Sequence, residues 1–302
     1  MKRRLVKQGA ATLMISLPSK WIQANNLGKG DEVNLEEKNN VLTLSSSLKE
    51  NKEIVINITK ENSHDLKNIL THLYRKGYQK IILQGEFKHL TKEIRNITNN
   101  LLLGFEITEH NIKELVLENI SEPVEQKYEI LQKKIINTLK ETNLIILENI
   151  AKNNLSNLSE IEELRNNNDK YILFCRRILI QGKTGRNQIT NWEFLTFLTH
   201  IQHTYYYLYE YLTKNKVNTK RLIPLLNELN NYLLLLEDSF IKKDLTSIHK
   251  INKLKHKFQF GECIVSLESS KGSDAVAFSY IRELFRLIQI STSPLILEIL
   301  NQ

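Results

Sequence analysis

Lys2, Arg3, Arg4, Lys7, Lys20 and Lys29 are the charged residues of the first thirty positions, and no aspartate or glutamate lies among them. Ammonium and guanidinium groups at this density neutralise phosphate oxygens, and guanidinium forks also match guanine edges. The formal net charge is +8, and these six residues supply +6 of it, leaving +2 for the other 272. The high isoelectric point is therefore a local property, the footprint expected for DNA, RNA or an anionic membrane. A solvated face would explain an arbitrary run of four cations. Here the absence of acids, a strand-like periodicity that orders the charges and a module too small to stand alone favour double-stranded DNA, because a paired β element fits the major groove.

Other residues that could carry chemistry lack the spacing for it. No GxSxG, HExxH, GxxxxGK[ST] or Gly-rich strand-to-helix turn occurs, so neither an enzyme nor a cofactor site is expected. GKTGRN at 182–187 follows a helical pattern and reads as an interhelical turn. His200 and His203 share a helix face at i, i+3, with Glu193 and Glu210 as nearby acids, and are expected at the polar edge of a packed helix rather than on a metal. The tyrosines 205–207, 209 and 211 scatter around a helix axis and are expected in core and rim, not as a base-stacking platform. Cys175 and Cys263 lack ligand spacing and should pack as small hydrophobes. No apolar run approaches the roughly 18 residues of a membrane span, and no signal-peptide core is seen, so the chain reads as cytosolic.

The elements that must position these groups fall into three parts, giving an α+β fold class. In 1–47, Leu5, Leu13, Ile15 and Leu17 alternate as in a half-buried strand. PSKWIQANN should form a two-turn helix with Pro18 in its first turn and Trp21 and Ile22 inward, stopped by the glycines of LGKGD. EVNLEE and NVLTLS form a hairpin around Lys38 and Asn39 with Val33, Leu35, Leu42 and Leu44 on one side. Fewer than fifty residues offer too small a core, so this module should need a second copy. In 52–120 the order is strand, helix, strand, helix and a final strand or hairpin, with Ser63 as N-cap and Gly77 as stop of the first helix: a small α/β module. From 122 to 302 the pattern is helical, with stripes in 128–150, 158–181, 189–212, 220–241, 245–260 and 274–290, grouped as two three-helix bundles that break near 213–219.

KRRLVKQGAATLMISLPSKWIQANNLGKGDEVNL resembles the AbrB/MazE/SpoVT type of swapped-hairpin DNA-binding domain. The resemblance implies an intertwined homodimer, with Lys2, Arg3, Arg4, Lys7 and Gln8 facing DNA and Pro18, Trp21, Gly30 and Asp31 in structural roles. AATL replaces the more usual small polar turn. Further on, NNLLLGFEITEHNIKELVLENISEPVEQKYEILQKKI is similar to the junction between the α/β module and first helix of PhoU-like proteins of archaea that carry such an amino-terminal domain. That resemblance implies phosphate-linked regulation and helical carboxylate motifs for metal clusters.

The carboxylates have largely gone. LRNNNDKYILFCRRIL keeps only Asp169, and no acid lies between Asp244 and Glu262. Hard cations need several anionic oxygens, so no metal site is expected, and Glu160, Glu163 and Asp169 read as surface charge. The sequence thus points to a homodimeric DNA-binding regulator, with a phosphate-transport or sensor protein as a further partner. An adaptor whose amino-terminal domain only dimerises is the alternative, and an antitoxin is a third reading.

Overall fold

The structure is a computed structural model describing residues 2–9, 12–38, 41–46, 52–121, 125–182, 184 and 186–300. Two compact units divide the chain, 1–51 and 52–302.

In the first unit β1 (Val6–Gln8) and β2 (Thr12–Met14) form a short antiparallel hairpin, α1 (Ser19–Ala24) follows, and β3 (Val33–Lys38) pairs with β4 (Val41–Ser46). Leu35 lies opposite Leu44, and Glu37 opposite Leu42, so the register puts Val33, Leu35, Leu42 and Leu44 on one face as expected. The hairpin's Asn39 lies outside the described residues, as do Ala10 and Ala11 of AATL. Three expectations change. Leu5, Leu13 and Ile15 are exposed rather than half-buried, because nothing among the described residues of this unit is large enough to cover them, and Leu17 is half-buried. Pro18 sits before the helix with extended backbone, and its carbonyl accepts from Trp21 and Ile22 N–H. Asn26, not a glycine, takes the left-handed position (φ 50°) that ends α1: its N–H reaches Gln23 O, while Leu27 N–H reaches Ile22 O at 3.0 Å. Asparagine tolerates that conformation where most residues do not.

The second unit opens with β5 (Glu53–Ile58), α2 (Leu66–Arg75), β6 (Lys80–Gly85), α3 (Thr91–Leu101), β7 (Phe105–His110) and β8 (Glu114–Asn119). The sheet order is β5-β6-β8-β7, with β5 and β6 parallel and the other pairs antiparallel. Alternation puts Ile54, Ile56, Ile81, Leu83, Leu115, Leu117, Phe105 and Ile107 on one face, where they join Leu66, Leu70 and Tyr74 of α2 and Ile94, Ile97 and Leu101 of α3 in the core. Ser63 does not cap α2. It begins a short 3-10 turn ahead of it, and the loop is held by Asn62, whose side chain accepts from Thr59 N–H. Gly77 (φ 91°) does end α2, with its N–H on Tyr74 O.

The helices that follow are α4 (Glu125–Ala151), α5 (Leu158–Ile180), α6 (Gln188–Lys214), α7 (Ile223–Lys242), α8 (Leu245–Lys257), α9 (Cys263–Glu268), α10 (Ser273–Ile290) and α11 (Thr292–Leu300). Between α8 and α9 the chain does not turn back but widens into a π-helical turn, 258–262. Phe258 in that turn stacks on Phe285 with ring centroids 5.3 Å apart, and Arg282 Nε donates to Gln259 O. The six stripes of the sequence thus become eight helices among the described residues, α9 and α11 being additional. The two triplets share one core: α6 packs on α10 and α4 on α7. Helix α5 also carries the sheet module, for α2 and α3 both pack on it. Fully buried Arg177 of α5 lies over the Tyr74 and Phe105 rings and donates to Tyr74 O at 2.7 Å.

Gly85 (φ 86°) closes β6, where an added Cβ would meet Asn57 Oδ1 and lie 2.5 Å from Ile58 O. Gly85→Ala is expected to destabilise the second unit by about 1–3 kcal/mol through this clash and backbone strain. Denaturant unfolding followed by circular dichroism checks it.

Candidate nucleic-acid interface

Lys2, Arg3 and Arg4 precede β1, Lys7 and Gln8 lie in it, and Lys20 lies on α1; all six are exposed. None forms an ion pair among the described residues. Their charges therefore face solvent uncompensated, as a polyanion-binding edge requires. The structure does not bring the whole set onto one face. Lys7 pairs across the hairpin with Leu13 and Gln8 with Thr12, so Lys7 and Gln8 point to opposite sides. A hairpin seated in a groove uses the side chains of one face, and Lys7 and Gln8 cannot both lie on it.

The same hairpin exposes Leu5, Val6, Leu13, Met14 and Ile15, and the second hairpin exposes Leu35, Val41 and Leu42, the last at 63 % of its full area. Among the described residues of this unit none is buried. The turn that links α1 to β3 is nonetheless built with care. Gly28 N–H donates to Asp31 Oδ2 at 2.6 Å, and Gly30 adopts φ 98°. Asp31 and Gly30 thus shape this turn, and Trp21 and Ile22 of α1 are half-buried.

In the helical region the tyrosines divide as expected: Tyr205, Tyr206 and Tyr209 are buried and Tyr207 is exposed. Both cysteines are free and buried. In GKTGRN, Lys183 and Gly185 lie outside the described residues, while Asn187 caps α6 by accepting from Ile189 and Thr190 N–H, and Arg186 pairs with Glu129 and Glu298. This is an interhelical turn. His200 and His203 part company. His200 is exposed, whereas His203 Nε2 contacts both oxygens of Asp169, at 2.9 and 3.0 Å, an acid from α5 that the one-helix reading of Glu193 and Glu210 overlooked. Glu210 pairs instead with Lys214. Asp169 is thus turned toward α6, while Glu160, exposed, accepts from Asn157. No group of three or more acids, histidines or cysteines that could hold a metal ion occurs among the described residues.

Two residues escape the sequence reading, Arg75 and Arg176, which lie over the same indole ring of Trp192. The available signal was the pair Arg176 and Arg177 set inside the otherwise apolar run YILFCRRILI.

Small paired hairpins with a basic leading edge and a short helix between them are the elements expected from the resemblance carried by KRRLVKQG and LGKGDEV. Residues 6–56 match a family model described as antidote-toxin recognition MazE, bacterial antitoxin. The match runs from the first residue of β1 into β5. No curated protein and no solved structure matches the chain.

Asp31→Ala removes a charge-assisted acceptor from Gly28 N–H and is expected to weaken the turn by about 1–2 kcal/mol. Faster amide exchange at Gly28, with second-unit amides unchanged, is the measurable result.

Proposed function

We propose that the chain is a DNA-binding transcriptional regulator that acts as a homodimer through its amino-terminal domain. The observation that carries this reading is the acid-free, unpaired set Lys2, Arg3, Arg4, Lys7 and Lys20 on and beside an exposed hairpin of a MazE/AbrB-type domain. Domains of that family typically dimerise and bind DNA. The exposed apolar side chains of the unit support the dimer. Covering eight half-exposed residues in each of two protomers recovers on the order of 15 kcal/mol, comparable to the roughly 4–15 kcal/mol cost of association.

The helical region is the regulatory half. Its likeness to PhoU-type bundles at the junction segment links it to phosphate uptake, through a transporter or sensor protein that docks there. The signal is not a metal cluster, since the helical carboxylates that would hold one are replaced by Arg165 and Asn166 to Asn168. In the second reading, the adaptor, the same partner docks but DNA is not bound. Deleting residues 1–47 separates the two: partner capture survives in both, while DNA binding is present in the full chain only in the first.

If Lys2, Arg3, Arg4 and Lys7 of two protomers neutralise phosphates, log affinity falls with log salt at a slope near about −7. Fluorescence anisotropy on duplex DNA measures it, and a slope near zero overturns the reading. The double variant Arg3→Ala, Arg4→Ala is expected to flatten the slope by about 3–4. Placing charge on the apolar face, Leu35→Glu with Leu42→Glu, should convert the sedimenting species from dimer to monomer; an unchanged sedimentation coefficient removes the shared core.

A further inference from the structure

Helix α2 and helices α5 and α6 meet around Trp192. Arg176 of α5 lies 4.9 Å from the indole centroid and Arg75 of α2 lies 5.8 Å from it. Arg176 is only 9 % exposed, and its Nη2 donates to Thr196 Oγ1 at 2.8 Å. Arg75 Nη2 donates to His72 Nδ1 at 2.6 Å, so that ring nitrogen must act as an acceptor. No partner so far is an acid. Neither arginine forms an ion pair among the described residues, and Nε of each is buried without a hydrogen-bond partner.

Two guanidinium groups placed together in this way oppose one another. Burial and, second to it, the charge of Arg75 pull Arg176 down to about 10, with Asp169 acting in the opposite sense. Asp169 is itself engaged by His203. Buried cations are ordinarily paired with anions, and orphaned donors beside them complete an oxyanion's hydrogen bonds. An indole stacked on guanidinium offsets part of the desolvation but supplies no countercharge.

Trp192 and Thr196 also line an open groove of about 550 Å³ with Leu179, Ile180, Ile189 and Phe197, a size suited to a small organic ligand. One acid, Glu193, stands on its wall.

We propose that Arg75 and Arg176 form a binding site for a phosphoryl oxyanion, held between the sheet module and the helices at the edge of the Trp192 groove. The anion supplies the charge that the two guanidinium groups lack. An organic phosphate would place its apolar body on Trp192 and Ile189, and free phosphate would use the arginines alone. This goes beyond the DNA-binding reading and does not depend on it.

The full chain with Trp21→Phe leaves Trp192 as its single tryptophan, a direct reporter. Titration with inorganic phosphate and, separately, phenyl phosphate should change its fluorescence saturably. Arg75→Gln and Arg176→Gln should each weaken binding at least tenfold, and Glu193→Gln should strengthen it. Phenyl phosphate binding at least tenfold tighter assigns the groove to the ligand; equal affinities assign the site to the free ion. A second measurement guards against misfolded variants. In phosphate-free buffer Arg75→Gln should melt no lower than the parent, because it relieves repulsion, yet lose the phosphate-induced rise in melting temperature. A purely structural stack predicts the reverse, a lower melting temperature with no phosphate response in either protein. That result, or fluorescence unaffected by both phosphates, overturns the proposal.

Discussion

A module of about fifty residues has too much surface for its volume to enclose its own apolar side chains, and the amino-terminal unit is shaped by this limit. Its two hairpins are short, its single helix has six residues, and Leu5, Leu13, Ile15, Leu35 and Leu42 all face outward. Local devices define the backbone where packing cannot. Asn26 stops α1, Asp31 closes the following turn, and the glycines take the backbone angles that other side chains resist. In the proposed regulator the missing core comes from a second copy, so DNA binding and assembly depend on the same few strands. A regulator of this kind has no stable half.

The second unit solves the problem internally. Helix α5 is the member on which α2, α3, α4 and α6 all pack, and Arg177 is sunk between two aromatic rings where sheet module and helices join. A buried arginine that donates to Tyr74 O ties the end of α2 to α5 by a directional bond, where hydrophobic packing alone would allow sliding. Rearrangement at Arg176, the neighbour of Arg177 on α5, would therefore be felt in the sheet and in the helices together.

Much of this was legible in the sequence. Alternation in KEIVINI and YQKIILQG gave β5 and β6, and the 3.6-residue stripes gave six helices, because in both cases one face is buried and the period follows from that burial. Legibility failed where a residue's role depends on a distant partner. Leu13 and Ile15 alternate like a half-buried strand, but what covers them is not in this unit. His203 was read against acids on its own helix, and its partner Asp169 comes from α5. Of the six candidates, five basic residues and Gln8, the positions are readable, yet the split of Lys7 from Gln8 requires the register of β1 on β2. Arg75 and Arg176 are a hundred residues apart, and only the packing of α2 on α5 brings them to one indole.

The π turn at 258–262 makes the chain sensitive to counting rather than to chemistry. Each residue advances a helix by about 100°, so a wide turn shifts the phase of everything beyond it relative to an ordinary helix. Cys263 is buried directly after the turn, and Phe258 at its start lies flat on Phe285. Deleting one residue here would return the turn to ordinary helical spacing, yet rotate α9 relative to the surface it packs on. In this segment the number of residues matters more than their identity.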